Sequence, residues 1–253
     1  MYKEFETRTS FRYLKEVINC LKEPICILGG WAVFFQVNER FQQAQGRPYL
    51  GSRDIDLGFN ISKDLQTLSQ TINILKEELK FKPLSFRMIK EIHTETEEEI
   101  KSGENVPAHF TFPMFIDLIV DSIPKDFKKT FGFNPIDEPL LKTVFDKKEF
   151  IILNEFDRKL LLPNPELLLA MKVNSLPSRD KEHKRIKDIC DIFALAWYTK
   201  VNLEKINLLK FVSQKKLKLC LSTISEEDYE KATIQISHEK EELKRVINLI
   251  CNK

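Results

Sequence analysis

The sequence predicts an α/β or α+β fold, in which a mixed sheet with flanking helices is followed by a helical domain. Short apolar runs bounded by glycine or proline are typical of strands, and between them apolar residues recur at helical spacing. From Asn164 onward the spacing is helical throughout. We therefore predict a sheet domain over residues 1–162 and a helical domain over residues 163–253.

The chain is predicted to begin with a helix, a strand and a second helix. Apolar side chains recur at helical spacing over 10–22, where Ser10 can serve as an N-cap, and Pro24 ends this helix. The apolar run 25–28 predicts a strand, and the two glycines after it predict a tight turn into a buried helix. Residues 38–53 are polar and contain glycine and proline, which indicates a loop or a frayed helix end.

The middle of the chain continues with strands around one helix. A strand is predicted over 54–59, and a helix with Ser62 as its cap is predicted over 62–80. Residues 81–92 are rich enough in aromatic and β-branched side chains for another strand. The acidic stretch 93–105 indicates an exposed hairpin end or a mobile loop with solvated glutamates.

The strongest strand signal in the chain is the apolar and aromatic run 110–120. Two shorter strands are predicted near 142–145 and 149–153. The helical part then opens with Asn164 as a cap and Pro165 at the first helical position. Further helices are predicted at 183–198 and along 202–251.

The composition bounds the classes of partner. With 40 basic and 38 acidic side chains the formal charge is only +2, so any site for a polyanion has to be local. Five widely scattered cysteines, an odd number, lead us to expect reduced thiols and a cytoplasmic location. No stretch approaches the roughly 20 apolar residues of a membrane helix, and the first residues carry no apolar signal segment. We therefore expect a soluble, intracellular protein without a membrane partner.

Two carboxylates stand in the predicted strand 54–59. Asp54 and Asp56 are two residues apart, so both side chains project from one face while Ile55 points into the core. Adjacent carboxylates repel each other, and such a pair usually implies a divalent cation or a compensating base. Arg53 could be that base. The structural alternative is an Asp-x-Asp at the surface end of a strand.

A third carboxylate lies in the middle of the strand 110–120. Asp117 has apolar neighbours on both sides, so its side chain has to meet water, a partner or a metal. If its strand lies beside 54–59, three carboxylates converge and could hold two magnesium ions together with a substrate's phosphates. Asp121 would face the same way and is the alternative to Asp117. A solvent-exposed second strand face is the structural alternative.

The diglycine Gly29-Gly30 separates the first strand from the helix that follows it. Without Cβ atoms the backbone can approach a triphosphate closely, and the helix start can direct amide groups at it. An ordinary strand-to-helix turn is the structural alternative. The diglycine therefore matters only in combination with the carboxylates.

Three segments of this chain occur in the order LGGWAVFF, SRDIDLGF and FIDLIV. Together they resemble the DNA polymerase β-type nucleotidyltransferase superfamily, whose pattern is a strand, Gly-[Gly/Ser], a helix, Asp-hydrophobic-[Asp/Glu] and a later strand carboxylate. The segments SRDID, PELLLAMK and RIKDICD are further similar to the branch of AbiEii abortive-infection toxins. The resemblance spans about residues 25–195.

The resemblance implies a nucleotidyltransferase fold and magnesium-dependent transfer of a nucleoside monophosphate from an NTP to an acceptor hydroxyl. RNA ends, protein hydroxyls and small aminated sugars all fit such a centre as acceptors, and a toxin-like role would bring an antitoxin partner. The implied metal ligands and catalytic residues are Asp54, Asp56 and Asp117. The implied nucleotide-binding residues are Gly29, Gly30 and Ser52 at the phosphates, with Lys172, Lys187 and Asp188 near the triphosphate or acceptor.

Three alternatives stay open beside this prediction. Lys172 could simply extend to solvent from an apolar helix, and Asp188 and Asp191 could form ion pairs along their own helix. The basic run 179–187 could grip an RNA backbone or be a solvated helix face. The whole chain could also be an inactive nucleotide- or partner-binding module of the same fold. A glycosyltransferase with an Asp-x-Asp metal pair is disfavoured, because the diglycine comes first and the sheet region is small.

Overall fold

The structure is a computed structural model and describes residues 2–101, 103–200 and 202–252. The chain divides into two compact units. The sheet unit comprises residues 2–28 and 51–162, and the helical unit comprises residues 29–50 and 163–252. Residues 29–50 thus group with the later helices. The linear division at residue 162 stays a prediction.

The sheet unit contains a mixed sheet in which strands run in the order β3-β4-β5-β2-β1-β8-β7, with β6 beside β5. The pairs β2–β5, β1–β8 and β5–β6 are parallel, whereas β1–β2, β3–β4 and β4–β5 are antiparallel. The strands are β1 (Ile25–Ile27), β2 (Asp54–Phe59), β3 (Lys82–Leu84), β4 (Arg87–His93), β5 (Thr111–Val120), β6 (Ile136–Asp137), β7 (Phe150–Glu155) and β8 (Arg158–Pro163). The predicted α/β class with a mixed sheet is confirmed.

Among the residues that the structure describes, four α-helices belong to the sheet unit. They are α1 (Glu4–Cys20), α3 (Leu65–Asn73), α4 (Phe127–Phe131) and α5 (Leu140–Asp146). Helix α3 continues as a π-helical turn over Ile74–Glu78.

Three predictions about helices and their caps in the sheet unit are wrong. Ser10 is not a cap, because α1 begins at Glu4 and buries Ser10 in its middle. The cap of α3 is Asp64, whose side chain accepts from the Thr67 N–H. Residues 142–145, predicted as a strand, belong to α5, which follows Pro139. The β-branched residues there favoured a strand, but Leu141 and Val144 are buried at helical spacing.

The helical unit is arranged around one helix. Its members are α2 (Gly29–Gln45), α6 (Pro165–Ser175), α7 (Glu182–Tyr198), α8 (Gln214–Thr223), α9 (Glu226–Ile236) and α10 (Lys240–Cys251). Helix α7 is buried from Ile186 to Ala196 and packs against α2, α6, α9 and α10. The start of α6 is as predicted, because the Asn164 side chain accepts from the Leu167 N–H and Pro165 is the first helical residue.

Helix α2 reaches further than the polar sequence of 38–53 indicates. The helix runs to Gln45 because Val37 and Phe41 continue its buried stripe, and the irregular segment begins only after it. Within the described ranges, none of the helices combines the length and the apolar character that a membrane crossing requires.

Candidate carboxylate site

The candidate site lies on three neighbouring strands of the sheet unit. Strands β2 and β5 run parallel in a register that pairs Asp56 with Asp117 and Asp54 with Phe115. Strand β4 runs antiparallel on the other side of β5 and places Arg87 opposite Asp117. Because residues paired across a sheet share a face, Asp56, Asp117 and Arg87 form one row. Asp54 lies two residues away on the same face. We call Asp54, Asp56 and Asp117 the carboxylate cluster.

The alternation of these strands explains why the carboxylates gather on one face. Ile55 and Leu57 on β2 are buried, as are Ile116 and Leu118 on β5, and these apolar side chains hold the opposite face in the core. The carboxylate face is itself largely covered, since Asp117 is only 5% exposed. Buried carboxylates that lie side by side repel each other and require a positively charged counter-ion.

The counter-ion in the sheet unit is Arg87. Its Nε donates to Oδ1 of Asp117 at 2.8 Å and its Nη2 donates to Oδ2 at 2.5 Å, which is a two-pronged ion pair. Nη2 also lies 3.6 Å from Oδ2 of Asp54. The guanidinium carbon stands 4.1 Å from the centre of the Phe115 ring. Arg87 therefore links two members of the carboxylate cluster.

Arg53, which we considered as the compensating base, does not have this role. Its guanidinium instead pairs with Glu6 at 3.6 Å and lies over the Phe112 ring at 5.1 Å. The position before the strand directs the side chain toward α1. Sequence proximity to Asp54 was thus misleading, because strand pairing and not chain neighbourhood decides which base faces the carboxylates.

The surroundings of Asp117 shift the pKa of its carboxyl. Burial raises the pKa of its carboxyl to about 7, and the negative charge of Asp56 acts in the same direction. The hydrogen bonds and the charge of Arg87 oppose this rise. A cation bound beside Asp117 would favour its ionised form in the same way.

The donor chemistry of the cluster suits magnesium, since carboxylate oxygens are the protein ligands that this hard cation prefers. Among the residues that the structure describes, however, no three His, Cys, Asp or Glu side chains converge as a group that could hold a metal ion. Both oxygens of Asp117 accept from Arg87. The residues therefore fit the cation by type, and Asp117 has Arg87 as its counter-ion.

The structure separates the two candidates for the third carboxylate. Asp121 follows the end of β5, and its Oδ1 accepts from the Ile61 N–H at 2.9 Å while its Oδ2 accepts from the Ser62 hydroxyl at 2.5 Å. It closes the loop after β2 and pairs with backbone there. Asp117, in register with Asp56, is the residue that the fold brings to the cluster.

The remaining predicted phosphate contacts lie in two places. Ser52 is buried in the sheet unit, two residues before the start of β2. Gly29 and Gly30 open α2 in the helical unit, and Gly29 has φ +58°, a left-handed conformation that favours glycine. The residue before them, Leu28, donates its N–H to the Asp56 carbonyl at 2.9 Å. The glycine at 29 therefore has a structural reason independent of any ligand.

Lys172, Lys187 and Asp188 meet in the helical unit as part of what we call the buried ion network. Lys172 Nζ lies 2.8 Å from Oδ1 of Asp188 and 2.8 Å from Oδ2 of Asp191, while Lys187 pairs with Oδ1 of Asp191. Arg179 Nε donates to Oδ2 of Asp188 at 2.6 Å. All members except Arg179 are buried. Ion pairing between α6 and α7 accounts for these residues within the fold, and their nucleotide-binding role stays a prediction.

The ion network makes stability depend on pH through Asp188. Burial by itself raises the pKa of this carboxyl, but the charges of Lys172 and Arg179 outweigh it and lower the pKa to about 2. A folded-state pKa below the unfolded one stabilises the fold above the unfolded pKa, and this contribution is lost as the pH falls through the folded pKa. We expect about 2 kcal/mol to be lost between pH of about 4 and 2.

Urea unfolding of wild type and Asp188→Asn across this pH range checks the expectation. The wild type should lose more stability than Asp188→Asn on acidification. Equal losses in the two proteins would show that other carboxyls are responsible.

Both charged runs contain side chains that form ion pairs within the fold, although Glu95, Glu98, Glu99 and Glu104 of the acidic stretch are exposed, as predicted. In the basic run, Arg185 forms a bidentate ion pair with Asp228, in which Nε donates to Oδ2 at 3.0 Å and Nη2 donates to Oδ1 at 2.9 Å. In the acidic stretch, Glu97 pairs with Arg8 and Glu99 pairs with the buried Lys90 at 2.8 Å. These pairings favour a structural role for both runs.

Arg87 is the site residue that sequence reasoning missed. Its signal was the same as that of Asp117, since a charged side chain stands next to apolar and aromatic neighbours in a predicted strand. The prediction treated 81–92 as one strand, whereas β3 and β4 are separate strands and Arg87 begins the second. Only the register of β4 on β5 places it opposite Asp117.

Comparison with protein-family models finds no match, and comparison with curated proteins finds none either. Among solved structures, the chain is similar to the crystal structure of an antigenic nucleotidyltransferase-like protein from Paracoccidioides brasiliensis. The similarity has 18% sequence identity and a TM-score of 0.43, and it covers 92% of this chain and 93% of that chain.

Proposed function

We propose that the chain is a magnesium-dependent nucleotidyltransferase that moves a nucleoside monophosphate from an NTP to an acceptor hydroxyl. The observation that carries this proposal is the carboxylate cluster, in which Asp56 and Asp117 are paired across parallel strands and Asp54 shares their face. Three buried or half-buried carboxylates on one face are costly unless a multivalent cation or strong base accompanies them. Enzymes that catalyse phosphoryl chemistry use such groups of carboxylates to hold metal ions.

In this proposal Asp54, Asp56 and Asp117 would hold magnesium, which when bound would neutralise phosphate charge and lower the pKa of the acceptor hydroxyl. Asp117 would receive the proton of that hydroxyl. The acceptor oxygen forms a bond to the α-phosphorus, the bond from this phosphorus to the bridging oxygen breaks, and pyrophosphate leaves. The cluster contributes mainly by positioning and by charge.

The resemblance alone assigns six further residues to nucleotide binding, and these assignments are part of the proposal. For Lys172, Lys187 and Asp188 a nucleotide would have to compete with the partners that these side chains have in the buried ion network. The six are Gly29, Gly30, Ser52, Lys172, Lys187 and Asp188.

A second candidate function is a nucleotide- or partner-binding module without turnover. One observation favours it, namely that both oxygens of Asp117 accept from Arg87. A carboxylate held in this way is neither a metal ligand nor a base. The two candidates differ in pyrophosphate release.

The acceptor is proposed at the level of chemical class, as an RNA or protein hydroxyl. A toxin-like role with an antitoxin partner, as in the branch that the sequence resembles, would follow from transfer to an essential RNA or protein. A toxin-like role therefore depends on which acceptor the protein modifies.

Incubation of the protein with each of the four α-labelled NTPs, magnesium and either total RNA or cell lysate tests the proposal. We expect label to enter RNA or protein with at least one NTP, pyrophosphate to be released, and chelation of magnesium to stop both. Magnesium-dependent nucleotide binding without pyrophosphate release would favour the binding module. No binding and no transfer with any NTP would contradict both the transferase and a nucleotide-binding module.

A further inference from the structure

We propose that Arg87 and a divalent cation are alternative counter-ions of Asp117, so that Arg87 has to leave this carboxylate before the cation can use it. This inference rests on the metal site of the proposed function. It adds a residue outside the carboxylate cluster, on β4, that controls when the third ligand becomes available.

The first argument is geometric. Arg87 directs Nε and Nη2 at the two oxygens of Asp117, at 2.8 and 2.5 Å, and so takes the lone pairs that would face a cation. Nη2 also lies 3.6 Å from Asp54. A cation shared by Asp54 and Asp117 would stand next to the guanidinium, where two positive charges repel strongly in a buried setting. Arginine and cation therefore exclude each other here.

The second argument is that Arg87 has somewhere to go. It is the first residue of β4. The connection before β4 contains Phe86, which is exposed, and Ser85, which has a φ of +57°. The guanidinium rests on the Phe115 ring at 4.1 Å and lies 5.2 Å from the Phe86 ring. Cation–π contacts of this kind tolerate rotation of the guanidinium, because the ring face presents a broad surface. The side chain could leave Asp117 and retain an aromatic contact.

The third argument concerns charge. Arg87 is a single positive charge facing three carboxylates, and its Nη2 lies within ion-pairing distance of both Asp117 and Asp54. A divalent cation compensates the same carboxylates with twice the charge. Removal of the arginine should therefore strengthen cation binding, whereas a merely supporting residue would weaken it when lost.

The test uses Mn²⁺ as the probe, with binding followed by the electron paramagnetic resonance signal of the unbound ion. Arg87→Met removes the charge and leaves an apolar side chain against Phe115. The matched control is Arg185→Met, which removes another bidentate Arg–Asp pair, the one with Asp228 in the helical unit. We expect Arg87→Met to bind Mn²⁺ about tenfold tighter than wild type or more. Arg185→Met should bind like wild type.

A second measurement follows Mg²⁺ binding in the wild-type protein. In wild type, the arginine Nε–H signal of Arg87, assigned by its loss in Arg87→Lys, should shift on addition of Mg²⁺, while the signal of Arg185 stays in place. An unchanged Arg87 signal at saturating Mg²⁺ overturns the inference. So does a folded Arg87→Met protein with unchanged or weaker Mn²⁺ affinity.

Failure of this inference and failure of the proposed function are distinguishable. Tighter Mn²⁺ binding by Arg87→Met, without nucleotidyl transfer by wild type, supports the inference and contradicts the transferase. Nucleotidyl transfer by wild type, together with unchanged Mn²⁺ affinity in Arg87→Met, supports the transferase and contradicts the inference. Absence of Mn²⁺ binding in both proteins overturns the inference together with its metal site.

Discussion

Replacement of Asp191 by alanine is expected to lower the free energy of unfolding by about 3–5 kcal/mol, which is the typical cost of removing one partner of a buried ion pair. Asp191 is completely buried on α7. It pairs with Lys172 and Lys187 and accepts a hydrogen bond from the Tyr49 hydroxyl at 2.8 Å. Its loss leaves the buried Lys187 ammonium without this carboxylate, and the charge has to be accommodated in an apolar core.

Urea denaturation of wild type and Asp191→Ala measures this effect. Glu182→Ala is the control, because Glu182 forms an exposed pair with Lys231 and its loss should leave the urea midpoint unchanged. The double variant Asp191→Leu/Lys187→Met should recover much of the lost stability, since it removes the uncompensated charge and fills the space with apolar atoms. A loss below about 1 kcal/mol in Asp191→Ala would contradict the role assigned to the ion network.

Asp56→Asn is expected to reduce nucleotidyl transfer by about a thousandfold or more, because a metal site that loses one carboxylate charge loses several kcal/mol of transition-state stabilisation. Asp56 is directly opposite Asp117 in the β2–β5 register and is the least buried member of the carboxylate cluster. The amide keeps the shape of the side chain and removes its charge. Asp54→Asn should have the same consequence for transfer.

The rate of label transfer at saturating NTP measures these effects, with circular dichroism to establish that each variant is folded. Asp137→Asn on β6 is the control, since this carboxylate is exposed and is not part of the cluster. Variants Asp54→Asn and Asp56→Asn that are folded and transfer at the wild-type rate would exclude the cluster as the catalytic centre.

Local patterns predicted the elements that need only their own residues. Alternation over 54–59 gave a strand because Ile55 and Leu57 required one buried face. Asn164 and Pro165 marked the start of α6 because a cap and a fixed φ act within one helical turn. The period of α7 was equally clear over 183–198.

Predictions failed where a local preference competed with packing. Thr143 and Val144 favour strands, yet the surroundings of α5 bury Val144 with Leu141 on one helical face. The polar sequence after Val37 suggested a loop, whereas Phe41 gains burial by extending α2 to Gln45. The free energy gained by burying one apolar side chain exceeds the differences in helix propensity between single residues.

The sequence by itself determined that Asp54 and Asp56 share one face of a strand and that Asp117 stands in the middle of another strand, because the side-chain period of a strand is a property of its own backbone. It left open whether those strands are neighbours and which base compensates the charge. The tertiary structure decided both. Hydrogen-bond register pairs Asp56 with Asp117 and brings Arg87, not Arg53, to face them. Strand register joins residues distant in the chain, so no local pattern encodes it.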